Sequence, residues 1–140
     1  MCGGNWGSSV KGKWVLTPRI LVVDDEPSIR HLLQHALAGR DYDVLTASSA
    51  LEALAQLEQT PADLAIVDLM LPEVNGLNLA EAIRMLDPGT PVVLITAYGT
   101  TAFESMAAHP AISHYLHKPF ALDRLLELIE QVLGGRTRRS

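Results

Sequence analysis

From Arg19 onward, short apolar runs alternate with longer stretches whose apolar residues recur every three or four positions. This alternation is the pattern of β-strands and α-helices taking turns, and it restricts the chain to an α/β architecture. Ile20–Val23 and Leu64–Val67 are continuously apolar, as strands covered on both faces by helices must be. Tyr42–Thr46 alternates and reads as an outer strand, while Pro91–Ile95 and Ala111–Leu116 supply a fourth and a fifth. Pro27 suits the first turn of a helix. The apolar residues after it are Ile29, Leu32, Leu33, Ala36 and Leu37, and Gly39 is a stop signal. Ser49 with Glu52 three residues on is a capping box; its helix carries Leu51, Leu54, Ala55 and Leu57, and Pro61 limits it. A third helix runs from Leu77 to near Leu86 with Leu79, Ala80, Ile83 and Leu86 inward. A short fourth covers Thr100–Ala108 with Phe103 and Met106. The last spans Leu122–Leu133, with Leu122, Leu125, Leu126, Ile129 and Leu133 inward, and ends at Gly134–Gly135. Right-handed crossovers then place helices on both sides of a parallel sheet.

In an open parallel sheet of this kind, ligands bind outside the carboxyl ends of the strands. Four of the five strands here end in a residue with chemistry to offer: Asp24–Asp25, Asp68, Thr96 and Lys118. Each alone is what a helix cap, a turn or a solvated surface would show. Together they make one edge of one sheet. Three crowded carboxylates repel one another unless positive charge is supplied. A hard divalent cation with oxygen ligands meets that need, and Mg2+ suits a site of one or two carboxylates, waters and a phosphate oxygen. Mn2+ is the alternative ion. Lys118 adds a fixed positive charge and Thr96 a hydroxyl. These are the groups that stabilise a transferring phosphoryl group, and a carboxylate can itself be the nucleophile that receives it.

The ordered set of strand–Asp24–Asp25, strand–Asp68, strand–Thr96–Ala97 and strand–Lys118–Pro119–Phe120 resembles the receiver domain of two-component response regulators. The resemblance covers about residues 18–133, essentially the whole expected domain. It implies the flavodoxin-like fold with a five-stranded parallel sheet of order 2-1-3-4-5. It further implies Mg2+-dependent phosphoryl transfer to Asp68 from a sensor histidine kinase, a phosphotransfer protein or a small phospho-donor. Asp25, Asp68 and the backbone carbonyl of Met70 would then be metal ligands, with Asp24 acting mostly through metal-bound water and Glu26 standing beside it. Lys118 and Thr96 would contact the phosphoryl oxygens, and small Ala97 would leave the site open to a donor. Tyr115 matches an aromatic switch position. Its movement would reshape the face of the fourth helix, fifth strand and fifth helix, which would bind an output protein or domain and could serve a homodimer. Met70 and Tyr98 would flank the route of an attacking water. Both are bulky and neither orients water well, so slow self-hydrolysis of the phospho-form is expected. Pro110, Ala111, Ile112 and His114 depart from the family pattern, and His109, His114 and His117 are read as solvated surface residues rather than zinc ligands.

Other properties bound the rival readings. A chain of 140 residues fits one domain, and 48% apolar with only 5% aromatic residues gives an aliphatic core. One cysteine, Cys2, makes no internal disulfide and implies no oxidising compartment. No apolar run approaches 20 residues and the start lacks a secretion signal, so no membrane span and a cytoplasmic location are expected. Residues 20–133 hold five basic residues against all 16 acids, a net of −11, which argues against direct nucleic-acid binding by the domain. Residues 1–17 are expected to be a flexible extension or tag, disordered over 1–12, with a strap on the sheet edge as the alternative. Residues 134–140 read as a basic tail or a truncated linker, compatible with a stand-alone regulator or with the first domain of a longer one. A Mg2+-dependent phosphohydrolase working through an aspartyl phosphate would need an acid two residues past its nucleophile, where Met70 stands. A receiver-shaped module used only for protein binding, without phosphorylation, would be favoured by loss of an acid or of the lysine. A nucleotide-binding protein would want a Gly-rich loop after the first strand, where Asp24–Asp25–Glu26 stands.

Overall fold

Alternate residues of the first buried run face opposite sides, and this splits the core in two. The computed structural model describes residues 6–10, 13–97 and 110–134. In chain order the elements are β1 (Trp6–Val10), β2 (Lys13–Leu16), β3 (Arg19–Val23), α1 (Pro27–Ala38), β4 (Asp43–Ala47), α2 (Ala50–Gln59), β5 (Leu64–Asp68), α3 (Gly76–Leu86), β6 (Val92–Thr96), β7 (His114–His117) and α4 (Leu122–Gly134). The fourth helix expected over 100–108 lies outside the described residues.

Strands β3 to β7 form one parallel sheet of order β4-β3-β5-β6-β7, which in sheet-strand numbering is the expected 2-1-3-4-5. Leu21 and Val23 pack with Ala65, Val67 and Leu94 beneath α2 and α3. Ile20 and Val22 pack with Ile66, Val93 and Ile95 beneath α1 and α4. The central strands β5 and β6 are buried at every position, as their unbroken aliphatic sequence requires. Each of their Val, Leu and Ile side chains contributes about 1.5–3 kcal/mol by leaving water.

The helices sit with rotations the apolar pattern left open. In α1, Leu33 and Leu37 are buried while Leu32 is 49% exposed. In α2 the inward residues are Ala50, Ala53 and Leu57, whereas Leu51, also part of the apolar pattern, is 79% exposed. The helix turns the face of Ala50, Ala53 and Leu57 inward and leaves Leu51 and Ala55 outside. Leu86 at the end of α3 is likewise exposed. The α2 cap forms with a change of partner: Ser49 Oγ accepts from Glu52 N at 3.2 Å, but the Glu52 carboxylate reaches back to Ser48 N and Oγ rather than to Ser49.

Before the domain, β1 and β2 pair as an antiparallel hairpin with Val10 opposite Lys13. Both strands lie within the stretch 1–17 read as an extension.

Candidate functional site

The apolar strands deliver their terminal residues to one edge. Asp68 is the last residue of β5, Thr96 the last of β6, and Asp24 and Lys118 directly follow β3 and β7. Asp68 pairs in register with Ile95 and Thr96 with His117, so the strand ends are level. Carboxylate oxygens of Asp24, Asp25 and Asp68 all lie within 4.8 Å of one another. Among the described residues this is the group of three metal-ligating side chains that converges, and none includes His114 or His117.

Asp24 and Asp68 are buried, whereas Asp25 and Glu26 are exposed at the rim. Backbone geometry holds the buried pair in place. Asp24 N–H donates to Ala47 O at 3.1 Å, and its Oδ1 accepts from Glu26 N–H at 2.9 Å. Asp68 Oδ1 accepts from Met70 N–H at 3.2 Å. Lys118 comes from the far side of the sheet. Its N–H is fixed to Thr96 O at 2.7 Å, and its Nζ lies 3.4 Å from Asp68 Oδ2 and 3.8 Å from Asp24 Oδ2. The Lys118–Pro119 peptide is cis. Thr96 is wholly buried beside these groups, and Ala97 after it is exposed.

The electrostatics follow from burial first and from the neighbouring charges second. Burial pushes the Asp24 carboxyl up from 3.8 to about 6; the Glu26 amide bond opposes this, Asp68 charge adds to it, Lys118 opposes, and Asp25 adds. A donor set of convergent hard oxygens, two buried and one at the rim, fits a small divalent cation such as Mg2+.

Of the other residues singled out in the sequence, Met70 is 53% exposed next to Asp68, and Tyr115 on β7 is 45% exposed. Tyr98 and His109 lie outside the described residues. Two residues with structural consequences for the site escaped the sequence reading. Gly76 opens α3 against the end of β5: its N–H donates to Leu69 O at 2.7 Å, and a Cβ there would collide with the Asp68 carbonyl oxygen and lie 2.7 Å from Leu69 Cα. Arg30, in the first turn of α1, donates from Nη1 to the Asp24 carbonyl at 2.7 Å. A glycine opening a helix directly after a loop was a visible signal for the first; nothing in the sequence marked the second. Beside Lys118 lies an open apolar hollow of about 460 Å³, lined also by Ile29, Leu32, Ala97, Phe120 and Leu122.

Among the described residues no helix is long and apolar enough to cross a membrane. Comparison with known proteins is consistent with this architecture. The family model of the response regulator receiver domain matches residues 20–130. The response regulator protein PilR of Pseudomonas aeruginosa is 39% identical over 118 residues, covering 84% of this chain and 26% of that protein. The transcriptional regulatory protein GlrR of Escherichia coli is 35% identical over 114 residues, covering 81% of this chain and 26% of that protein. The chain thus spans about a quarter of the length of these relatives. Among solved structures, a CheY-like receiver domain protein from Methanospirillum hungatei superposes with a TM-score of 0.79 at 31% identity, covering 84% of this chain and 94% of that one. The response regulator TrrA from Thermotoga maritima, crystallised in complex with Mg(2+)-BeF, gives 0.75 at 37% identity, covering 84% and 100%. With the family model matching most of its length, the chain belongs to the response regulator receiver domains, the CheY-like modules of two-component signalling.

Proposed function

We propose that Asp68 is the phosphoryl acceptor and that its modification resets a protein-binding face. The observation that carries this reading is the convergence of Asp24, Asp25 and Asp68 within 4.8 Å, with Lys118 Nζ 3.4 Å from Asp68. Asp25, Asp68 and the Met70 carbonyl would hold Mg2+, with Asp24 acting through metal-bound water. When bound, the ion supplies charge neutralisation for the incoming phosphoryl oxygens. The chain's own residues do the rest. An Asp68 carboxylate oxygen attacks phosphorus, an O–P bond forms, and the donor's P–N bond breaks, its electron pair leaving with the histidine imidazole. Lys118 offsets negative charge on the transferred group, and the Thr96 hydroxyl donates to it. The exposed Ala97 leaves the approach open. The reaction is one that the domain performs on its own side chain, not on a released substrate, and Met70 at the position where a phosphohydrolase would need an acid supports that reading.

The donor is a histidine kinase or phosphotransfer protein, and the apolar hollow beside Lys118 gives such a protein a surface next to the acceptor. Phosphodonors of this kind fit a cytoplasmic location. Tyr115 would turn between outward and inward states whose balance phosphorylation shifts, changing the face it shares with the C-terminal helix and presenting it to an output domain or to a second copy. Met70 beside the acceptor, and Tyr98, favour a long-lived phospho-form. We read 18–133 as the receiver domain, 1–17 as an extension and 134–140 as a tail or linker.

Beryllofluoride, a tetrahedral mimic of a phosphoryl group, tests the reading. Added with Mg2+, it should move the amide resonances of Met70, Thr96, Tyr115 and Lys118. Unchanged resonances at Thr96 and Lys118 would rule the assignment out.

A further inference from the structure

Asp24 is secured at three points. Its N–H is bonded to Ala47 O, its carboxylate to Glu26 N–H and its carbonyl to Arg30 Nη1, at 3.1, 2.9 and 2.7 Å. The first two bonds are made by backbone groups of adjoining segments. The third is made by a charged, half-buried side chain reaching back from a helix. A guanidinium bound to a neutral carbonyl gives a charge-assisted hydrogen bond, and its positive charge is applied to the backbone of the acidic loop instead of among the carboxylate oxygens. Lys118, by contrast, stands at the oxygens of Asp68 and Asp24. The Asp24 carbonyl also belongs to the peptide unit that carries the Asp25 N–H. Fixing its direction fixes the path of the chain into Asp25, the one exposed member of the acidic trio.

We propose that Arg30 is a positioning residue for the metal-binding loop: by holding the Asp24 carbonyl it orients the Asp24–Asp25 peptide and keeps the exposed Asp25 carboxylate convergent with the buried pair. A loop ordered in advance leaves less for the cation to organise on binding. Arg30 therefore sets affinity for the divalent ion, not the rate of phosphoryl transfer once the ion is bound. The inference rests on the reading of the site as Mg2+-dependent.

The test is a Mg2+ titration of the whole protein, with no phosphodonor, followed by the amide resonances of Asp25 and Glu26. It is paired with phosphorylation by phosphoramidate as a function of Mg2+ concentration. Arg30→Ala should weaken Mg2+ binding ~10-fold, and its phosphorylation rate should return to within about twofold of the parent at saturating Mg2+. Arg30→Lys should recover most of the affinity, since a lysine retains a single cationic donor. An Arg30→Ala protein with parental Mg2+ affinity, or with a rate defect that saturating Mg2+ does not repair, would overturn the proposal. So would Arg30→Lys binding no better than Arg30→Ala. Should Arg30→Ala fail to fold, Arg30→Gln and Arg30→Lys decide: both are expected to bind Mg2+ within about fivefold of the parent, and weaker binding than that in both contradicts the proposal. A parent protein that binds Mg2+ but takes no phosphoryl group would refute the acceptor reading while leaving the affinity comparison intact.

Discussion

The Lys118 ammonium lies 3.4 Å from Asp68 Oδ2, although 50 residues separate the two in the chain. The contact exists because β7 ends level with β5 across β6, with Lys118 N–H bonded to Thr96 O. The lysine side chain is largely buried, so its charge acts with little screening.

Lys118→Ala should slow phosphorylation by phosphoramidate about 100-fold, the scale of removing one preorganised charge donor from a transition state. A time course by intact mass measures it. A rate within about threefold of the parent would show that the lysine does not act on the transferred group.

The raised Asp24 carboxyl predicts a pH dependence. Between its ordinary value of 3.8 and its folded value of about 6, the folded protein keeps a proton that the unfolded chain has released. The folded state binds more protons there, so metal-free stability falls as pH rises through that window. Asp24→Asn removes this penalty. In chelator, the variant should be more stable than the parent by about 3 kcal/mol near pH 7, and the difference should close toward pH 4. Urea unfolding at both values checks this, and an equal difference at both contradicts it.

Gly76→Ala should damage the acceptor directly, because the added methyl meets the backbone of Asp68 and Leu69 and not a yielding side chain. A loss of about 1–3 kcal/mol is expected, together with weaker Mg2+ binding. Retained stability and retained affinity would show that the α3 terminus can withdraw at no cost.

Leu32, 49% exposed, lines the hollow beside Lys118. Leu32→Glu should slow transfer from a phosphorylated histidine kinase ~10-fold or more if that surface seats the donor, while leaving the acetyl phosphate rate within about twofold. Equal effects on both donors would place the docking surface elsewhere.

What could be read from the sequence follows from what each signal depends on. Strand ends were legible because an apolar run halting at Asp24, Asp68 or Thr96 is a local event, and sheet geometry brings those ends together. The capping residue Ser49 was legible for the same reason. Helix rotation was not: Leu32, Leu51 and Leu86 fit the apolar pattern by spacing, yet the sheet accepted the neighbouring faces, with Ala50, Ala53 and Leu57 buried in α2. Arg30 carried no local mark of its importance, and Gly76 only that of a glycine after a loop, since each matters through the backbone of another segment.

The central claim is tested most directly by incubating the protein with Mg2+ and phosphoramidate and measuring its intact mass. The account predicts a gain of one phosphoryl group in the parent protein, none in Asp68→Asn, and none when a chelator replaces Mg2+. A parent protein that binds Mg2+ yet gains no mass, or an Asp68→Asn protein that gains as much as the parent, would contradict it.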